Sequence, residues 1–443
     1  MILPAETQQA DIEDAMMGFD DAPTPVPAPG IEIETPEKRK KWDFTTLTSL
    51  SGSYNYQKAA PNIGNADYRG LSRLKVKLQP EFRYKFNSKW SSLVSASAFY
   101  DLIYRINDRS DYATETLDNG ETELEFREAY LRGTVTNDFD IKLGRQIVVW
   151  GKSDSIRVVD VLNPLDFREP GMVDIEDLRL PVTMAKADYY FSDWNLSAIV
   201  IPEIRFNKTP AFGSDFSLSD QPAPPKEMPD SDRDWEYALA LSGVFNAWDL
   251  SFHAARYYDD QAHIIISPFQ PNTVTQGHSH LTLLGFATNV AAGNLLLKME
   301  SAYIDGLEFT NHPTSFSRMD IMLGVDYSGI TDATFSIEVV NRHINDYESN
   351  LSLLPDSTKE DESQISLRYT GSFLREKVNL VALTSILGTS IDDGAFYRGS
   401  IEYEIMDAMT VMLGGIVYQS GDNFLLKQIA DNDRVFFDMR YSF

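Results

Sequence analysis

His278-Ser279-His280 is the densest cluster of chemically versatile side chains in the chain. Two histidines at i and i+2 near the start of a strand share a face, and with a carboxylate they could hold a metal ion. The serine between them raises a second chemistry, lipid hydrolysis, in which a positioned histidine activates a hydroxyl. The remaining histidines, His253, His263, His312 and His343, are scattered, and exposed loop histidines are the ordinary case. No Gly-x-Ser-x-Gly, P-loop or His-Glu-x-x-His occurs. Asp230, Asp232 and Asp234 begin like a calcium loop, but Trp235 stands at its glycine position and Leu241 at its glutamate position. Asp108, Asp111, Glu115, Asp118, Glu121 and Glu123 lack that spacing too, and suit only loose divalent binding. The expectation is a chain with no catalytic residues, no bound metal and no cofactor.

The chemistry that remains is ionic, and strands must position it. Between Arg73 and Phe86, Leu74, Val76, Leu78, Pro80, Phe82, Tyr84 and Phe86 alternate with Arg73, Lys75, Lys77, Gln79, Glu81, Arg83 and Lys85. Successive side chains of a strand point to opposite faces, so one face is apolar and the other charged. The final residues repeat the pattern: Val435, Phe437, Met439, Tyr441 and Phe443 against Arg434, Phe436, Asp438, Arg440 and Ser442. Apolar-out and polar-in with a period of two is what a lipid-embedded barrel around a wet lumen requires. No run approaches the roughly 18 apolar residues of a spanning helix. The net charge of −27 argues against nucleic acid as a partner, and the absence of cysteine excludes disulfides and thiolate metal sites.

The fold class expected is an all-β, antiparallel up-and-down transmembrane barrel of outer-membrane type. It has about eighteen strands, or sixteen if one hairpin is misread, from 43–57 to 433–443. Connections after even-numbered strands are tight. Those after odd-numbered strands are mostly long: 58–71, 106–121, 152–180, 204–234, 259–278, 304–316, 345–362, 389–395 and 420–432. Short periplasmic turns and long extracellular loops place both termini in the periplasm. Trp42, Trp90, Trp194 and Trp248 then fall at periplasmic strand ends, and Trp150 (closing a strand 138–151) and Trp235 at outer ends, as membrane-interface belts. Two strands are less clean. Glu128 shares a face with Leu124, Phe126 and Tyr130, which implies a bulge or a register error, and the strand Met409–Tyr418 is apolar on both faces.

The lumen-facing candidates are Lys75, Lys77, Glu81, Arg83, Lys85, Arg368, Arg398 and Glu402. Most are read as pairing across the lumen, and a few as selecting solutes by charge. The third outer loop, 152–180, carries Ile156, Val158, Val159, Val161, Leu162, Leu165 and Phe167, which water gives no reason to keep. Those side chains should pack inward, as the third loop does in diffusion porins. Arg157, Asp160, Asp166, Arg168 and Glu169 would then stand at a constriction. The other readings are a lid across the mouth or a structural tether.

Residues 1–41 form a separate periplasmic segment ahead of the barrel at 42–443. Ala10 to Phe19 suits a short amphipathic helix, Pro23, Pro25, Pro27 and Pro29 a stiff linker, and Lys38 to Lys41 a basic run at the headgroups. Met1 to Ala5 is no signal peptide and reads as the cut start of a mature chain.

Gly144-Arg145-Gln146, then Trp150-Gly151-Lys152-Ser153-Asp154, then Asp160-Val161-Leu162-Asn163-Pro164-Leu165-Asp166 resemble an uncharacterised outer-membrane barrel family of Gram-negative bacteria. Genes of that family often lie beside resistance-nodulation-division exporters and a periplasmic or lipoprotein partner. The resemblance implies passage of a lipid-like or amphipathic molecule through the outer envelope, with no catalytic residues. The strand closing on Tyr441 and Phe443 resembles the signal that such barrels present to their assembly machinery. The partners expected are therefore outer-membrane lipids, lipopolysaccharide, the assembly machinery and an exporter-linked periplasmic protein. The functions to weigh are a porin-like channel, a lipid hydrolase on a barrel, and a plugged barrel serving an export assembly.

Overall fold

The computed structural model describes residues 40–61, 66–173, 178–219, 221–229, 234–266 and 274–443. The N-terminal helix and proline linker, and Asp230 and Asp232, lie outside them. Among the described residues there are twenty strands. They are β1 (Trp42–Asn55), β2 (Gly70–Lys85), β3 (Trp90–Asp101), β4 (Thr122–Thr136), β5 (Phe139–Gln146), β6 (Val182–Phe191), β7 (Trp194–Ile201), β8 (Glu236–Val244), β9 (Trp248–Tyr258), β10 (His263–Ile266), β11 (Val274–Gly277), β12 (His280–Ala292), β13 (Leu295–Phe309), β14 (His312–Ile330), β15 (Ala333–Ile344), β16 (Asp361–Phe373), β17 (Val378–Leu387), β18 (Ala395–Met406), β19 (Met409–Gln419) and β20 (Arg434–Ser442).

Eighteen of these close into one antiparallel ring, while β10 and β11 form a separate hairpin within the loop after β9. Each ring strand pairs with its chain neighbours, and β20 closes on β1 from Leu47–Ser442 to Asn55–Arg434. Thr46 and Phe443 exchange both backbone hydrogen bonds beyond that register, at 2.8 and 3.1 Å. Closure leaves no strand edge unpaired, which a hydrocarbon environment demands. Val76, Leu78 and Phe82 on β2 and Val435, Met439 and Tyr441 on β20 are exposed outward, while Arg434 and Phe436, on either side of Val435, are buried.

Two further connections differ from the sequence reading. β5 ends at Gln146, because Ile147 to Trp150 leave the ladder and turn inward. The expected loop 304–316 is mostly strand. β13 and β14 run on to a two-residue turn between Phe309 and His312, with register shifts after Asp305 and Leu307.

Both unclean strands find their reason. The β3–β4 register jumps between Val94–Ala129 and Ala96–Phe126, a bulge that reverses the parity of β4. Leu124 and Phe126 are exposed before it, and Glu128 lies beyond it, accepting N–H from Ile147 at 3.4 Å. Strand β19 is apolar on both faces because one faces outward from the barrel and the other meets inward loops. Met412, Ile416 and Tyr418 pack on Met172, Phe216, Phe436 and the helix Phe424–Ile429.

Candidate functional site: a loop across the lumen

Between β5 and β6, the described residues 147–173 and 178–181 enter the barrel. Val148, Trp150, Ile156, Val158, Val159 and Leu162 are buried in one cluster with inner-wall residues Met184, Ile199, Ala238, Leu283, Ala302, Met322 and Val340. The inner wall from β6 to β15 therefore carries a large apolar patch where the loop covers it, with a few buried charges set into it. This departs from a uniformly polar lumen, because loop and wall exclude water from each other.

Charged wall groups fix the loop's turn. Glu300 on β13 and Glu338 on β15 are both 1% exposed. Glu300 accepts N–H from Lys152 at 2.5 Å, Ser153 at 2.8 Å and Val159 at 3.3 Å. Glu338 accepts N–H from Asp154 at 2.8 Å and Ser155 at 3.1 Å, and the Ser153 hydroxyl at 2.7 Å. Lys298 pairs with Asp154 at 2.6 Å and Asp326 at 2.8 Å, and Lys152 with Asp249 at 2.5 Å. Gly151 has φ +90°, and a Cβ there would lie 2.7 Å from Glu300 Oε1, so the turn needs glycine for both reasons.

The rest of the recognised motif clamps the loop on itself. Asn163 accepts N–H from Val148 at 2.8 Å and donates to Leu180 O at 2.9 Å. Gln146 donates to Met184 O at 3.2 Å. Arg145 joins Glu125 at 3.1 Å and also bonds Glu203. Gly144, at φ +124°, lets Ala129 O approach to 2.3 Å from where a Cβ would be.

The loop then reaches the far wall. Arg168 pairs with Asp166 at 2.5 Å and with Glu123 of β4 at 3.0 Å. Glu169 bonds Arg73 of β2 and lies 3.7 Å from Lys75. The Tyr418 hydroxyl donates to Pro170 O at 2.6 Å. In the ring, nine steps separate β2 from β13 whichever way round they are counted. The loop thus spans diametrically opposite walls. Burial works against the Glu169 carboxylate, but Arg73, Lys75, Arg434 and Arg168 outweigh it and hold its pKa at about 2. Asp166 is likewise lowered, burial being outweighed by Arg168.

Of the constriction candidates, Asp160 is corrected. It is 4% exposed, accepts N–H from Trp150 at 3.2 Å and pairs with Arg179 at 2.8 Å and Arg157 at 3.3 Å, so it lines no aqueous passage. Arg157 also donates to Asn163 O at 2.9 Å. Trp150 is corrected as well. It is 6% exposed inside the barrel and lies 4.6 Å from the His253 ring, so it belongs to no interface belt. Trp42, Trp90, Trp194 and Trp248 begin strands at the short-turn end, and Trp235 precedes β8 at the other.

The lumen candidates lie opposite the exposed apolar residues of their strands. Glu81 pairs with Arg83 at 2.6 Å, Lys75 sits 4.4 Å over Phe99, and the buried Arg398 lies 5.7 Å over Phe436. Lys77, Arg368 and Glu402 are half-buried there, and Lys85 is exposed near the short-turn end. Sequence reasoning missed Glu300 and Lys298; their only signal was charge at inward positions among apolar neighbours.

His278 and His280 are not brought together as a ligand pair. His278 stacks on Phe206 at 3.3 Å, and burial and Lys226 lower its pKa to about 4. His280 stacks on Tyr258 at 4.6 Å. Ser279 lies 3.4 Å from His263, which lies 3.6 Å from Glu308. The Ser279 hydroxyl is buried and accepts N–H from Glu308 at 3.1 Å, so this trio ties β10 and the residue before β12 to β13. Among the described residues no group of three His, Asp or Glu side chains is arranged to hold a metal.

Solved structures share the fold. OccAB2 of Acinetobacter baumannii is 10% identical, with a TM-score of 0.53 over 91% of this chain and 98% of that one. OccAB1 of the same organism is 10% identical, with a TM-score of 0.52 over 90% and 95%. An outer membrane protein of Vibrio cholerae, OmpT, aligns at a TM-score of 0.44 and 12% identity over 91% and 99%. The fold matches outer-membrane β-barrels. No curated protein matches the chain. Residues 20–443 match the family described as protein of unknown function, DUF1302, and the chain belongs to it.

Proposed function

We propose that the protein is an outer-membrane conduit, performing no chemistry, whose inward loop sets what passes. The observation that carries this reading is the wall-to-wall span of the loop from Glu300 to Arg73. Such a span divides the lumen of an eighteen-stranded barrel, which would otherwise be wide. The wall from β6 to β15 is rich in apolar side chains around a few buried charges, and the wall along β2, β18 and β20 is charged. A lumen with both characters suits small or amphipathic solutes, lipid-like ones included. We place the short turns and the N-terminal segment in the periplasm, where an exporter-linked partner would engage them.

The test is conduction. Reconstituted in planar lipid bilayers, the protein should give discrete current steps. Ser279→Ala and His280→Ala should leave them unchanged. Phospholipid release that vanishes in either variant would favour a hydrolase instead. A folded barrel that never conducts would favour the second reading that the crossing loop supports, a plugged barrel with a structural role in export.

A further inference from the structure

Two loop carboxylates bond arginines on nearby stretches of the wall, where Asp101 and Asp438 also act on Arg73. Glu169, from the loop after β5, bonds Arg73 and faces Lys75 on β2 at 3.7 Å. Asp215, from the loop after β7, pairs with Arg434 of β20 at 2.8 Å. Its other oxygen lies 3.8 Å from Lys58. Arg434 also acts on Glu169, so the two pairs share one electrostatic neighbourhood. Only β1 separates the strands that carry the arginines, with Ser53 opposite Arg73 and Asn55 opposite Arg434.

The guanidinium groups are not used up. Arg434 is 3% exposed; its Nη1 reaches Asp215 and its Nε reaches Asn432 O at 2.9 Å, while its Nη2 is buried with no acceptor. Arg73 Nε is buried and unmatched in the same way. A guanidinium presents five donors in a fixed fork, and a buried donor left without an acceptor is costly. Water or a further oxyanion can match it. The Phe216 ring, 4.3 Å beneath Arg434, holds the fork in place.

We infer that Arg73, Lys75 and Arg434 form a lumen subsite for a solute oxyanion, carboxylate or phosphate, whose place Glu169 and Asp215 partly fill. The inference rests on the conduit reading for how such a solute arrives. In that arrangement an amphipathic anion would find its charged group's partners on β2 and β20. Its apolar part would find the loop and the wall beyond. Exchange of Glu169 for the solute's anion would loosen the loop's far end without disturbing the Glu300 and Glu338 anchors.

The experiment is calorimetric titration of the full folded chain in phosphatidylcholine nanodiscs, with inorganic phosphate and with butyrate as separate probes. At least one should bind saturably. Phosphate alone identifies a phosphate group, butyrate alone a carboxylate, and both an oxyanion of either kind. Arg434→Gln and Arg73→Gln should weaken binding by about tenfold or more, since each removes charge-assisted donors. Arg434→Lys should fall between, keeping charge but losing the fork. Glu169→Gln should strengthen binding by vacating the pocket. Gel mobility before and after heating confirms that each variant is a closed barrel. Binding that is equal in Arg434→Gln and the parent, or undetectable in both the parent and Glu169→Gln, overturns the site. Current recorded from the same preparations separates the two readings, because intact binding without conduction removes the conduit and leaves the subsite.

Discussion

Removing the carboxylates that cap the inward turn should free that turn and leave the loop inside the barrel. In Glu300→Ala, the N–H groups of Lys152, Ser153 and Val159 lose their acceptor. In Glu338→Ala, those of Asp154 and Ser155 and the Ser153 hydroxyl lose theirs. Breaking a buried, hydrogen-bonded charge arrangement by deleting one partner costs about 3–5 kcal/mol. The competing term is apolar. Six loop side chains, Val148, Trp150, Ile156, Val158, Val159 and Leu162, are buried against the wall. At about 1.5–3 kcal/mol each, an upper-bound sum near 9–18 kcal/mol holds the loop, which exceeds the loss of either anchor. Local opening of 151–155 should therefore become easier by about two to three and a half decades, at roughly 1.4 kcal/mol per decade. The assay is amide hydrogen exchange on the folded barrel. Amides 152–155 should exchange about a hundredfold faster or more, while Val148 and Leu180, bonded to Asn163 and Pro164, keep their protection. Unchanged exchange at 152–155 would refute the anchoring role. Protection lost through the whole loop would refute the ranking of apolar packing above it.

Three further outcomes follow from the same geometry. Deleting Ser155 to Asp166 should leave a heat-modifiable barrel with larger single-channel conductance; unchanged conductance would mean that the segment does not narrow the passage. Acid should loosen the Glu169 contact only at low pH. Its folded pKa, about 2, lies below the ordinary 4.5, so the stabilisation is full above about pH 4.5 and is lost as pH falls through 2. Exchange at Met172 should then be flat from pH 7 to 5 after correction for intrinsic rates and rise below 4.5, and a rise already at pH 6 would contradict this sign. Gly144→Val should impair assembly more than Gly293→Val, which puts a side chain at a positive φ but in open space, whereas at Gly144 a Cβ would meet Ala129 O at 2.3 Å; equal yields of folded barrel would refute the close-approach argument.

The strands were legible because their signal is local. A side-chain period of two, read against the tight turns, found eighteen ring strands and the long loop between β5 and β6. The apolar content of that loop also announced that it packs on something. What packs on what was not legible. Lys152 meets Glu300 across 148 residues of chain, and Asp154 meets Glu338 across 184. Nothing near either partner in sequence encodes that meeting; ring closure alone brings β13 and β15 opposite the turn. The same closure reassigned Trp150. Its place after an alternating run suggested an interface belt, but φ +90° at Gly151 and the bonds of Asp160 and Asn163 turn the chain inward before the strand would end. Alternation marks a face as apolar without saying whether lipid or a folded-in loop will cover it. Hydrocarbon and buried protein are equally free of water, so β19, apolar on both faces, became intelligible only when Met172 and Phe216 were seen against its inner one.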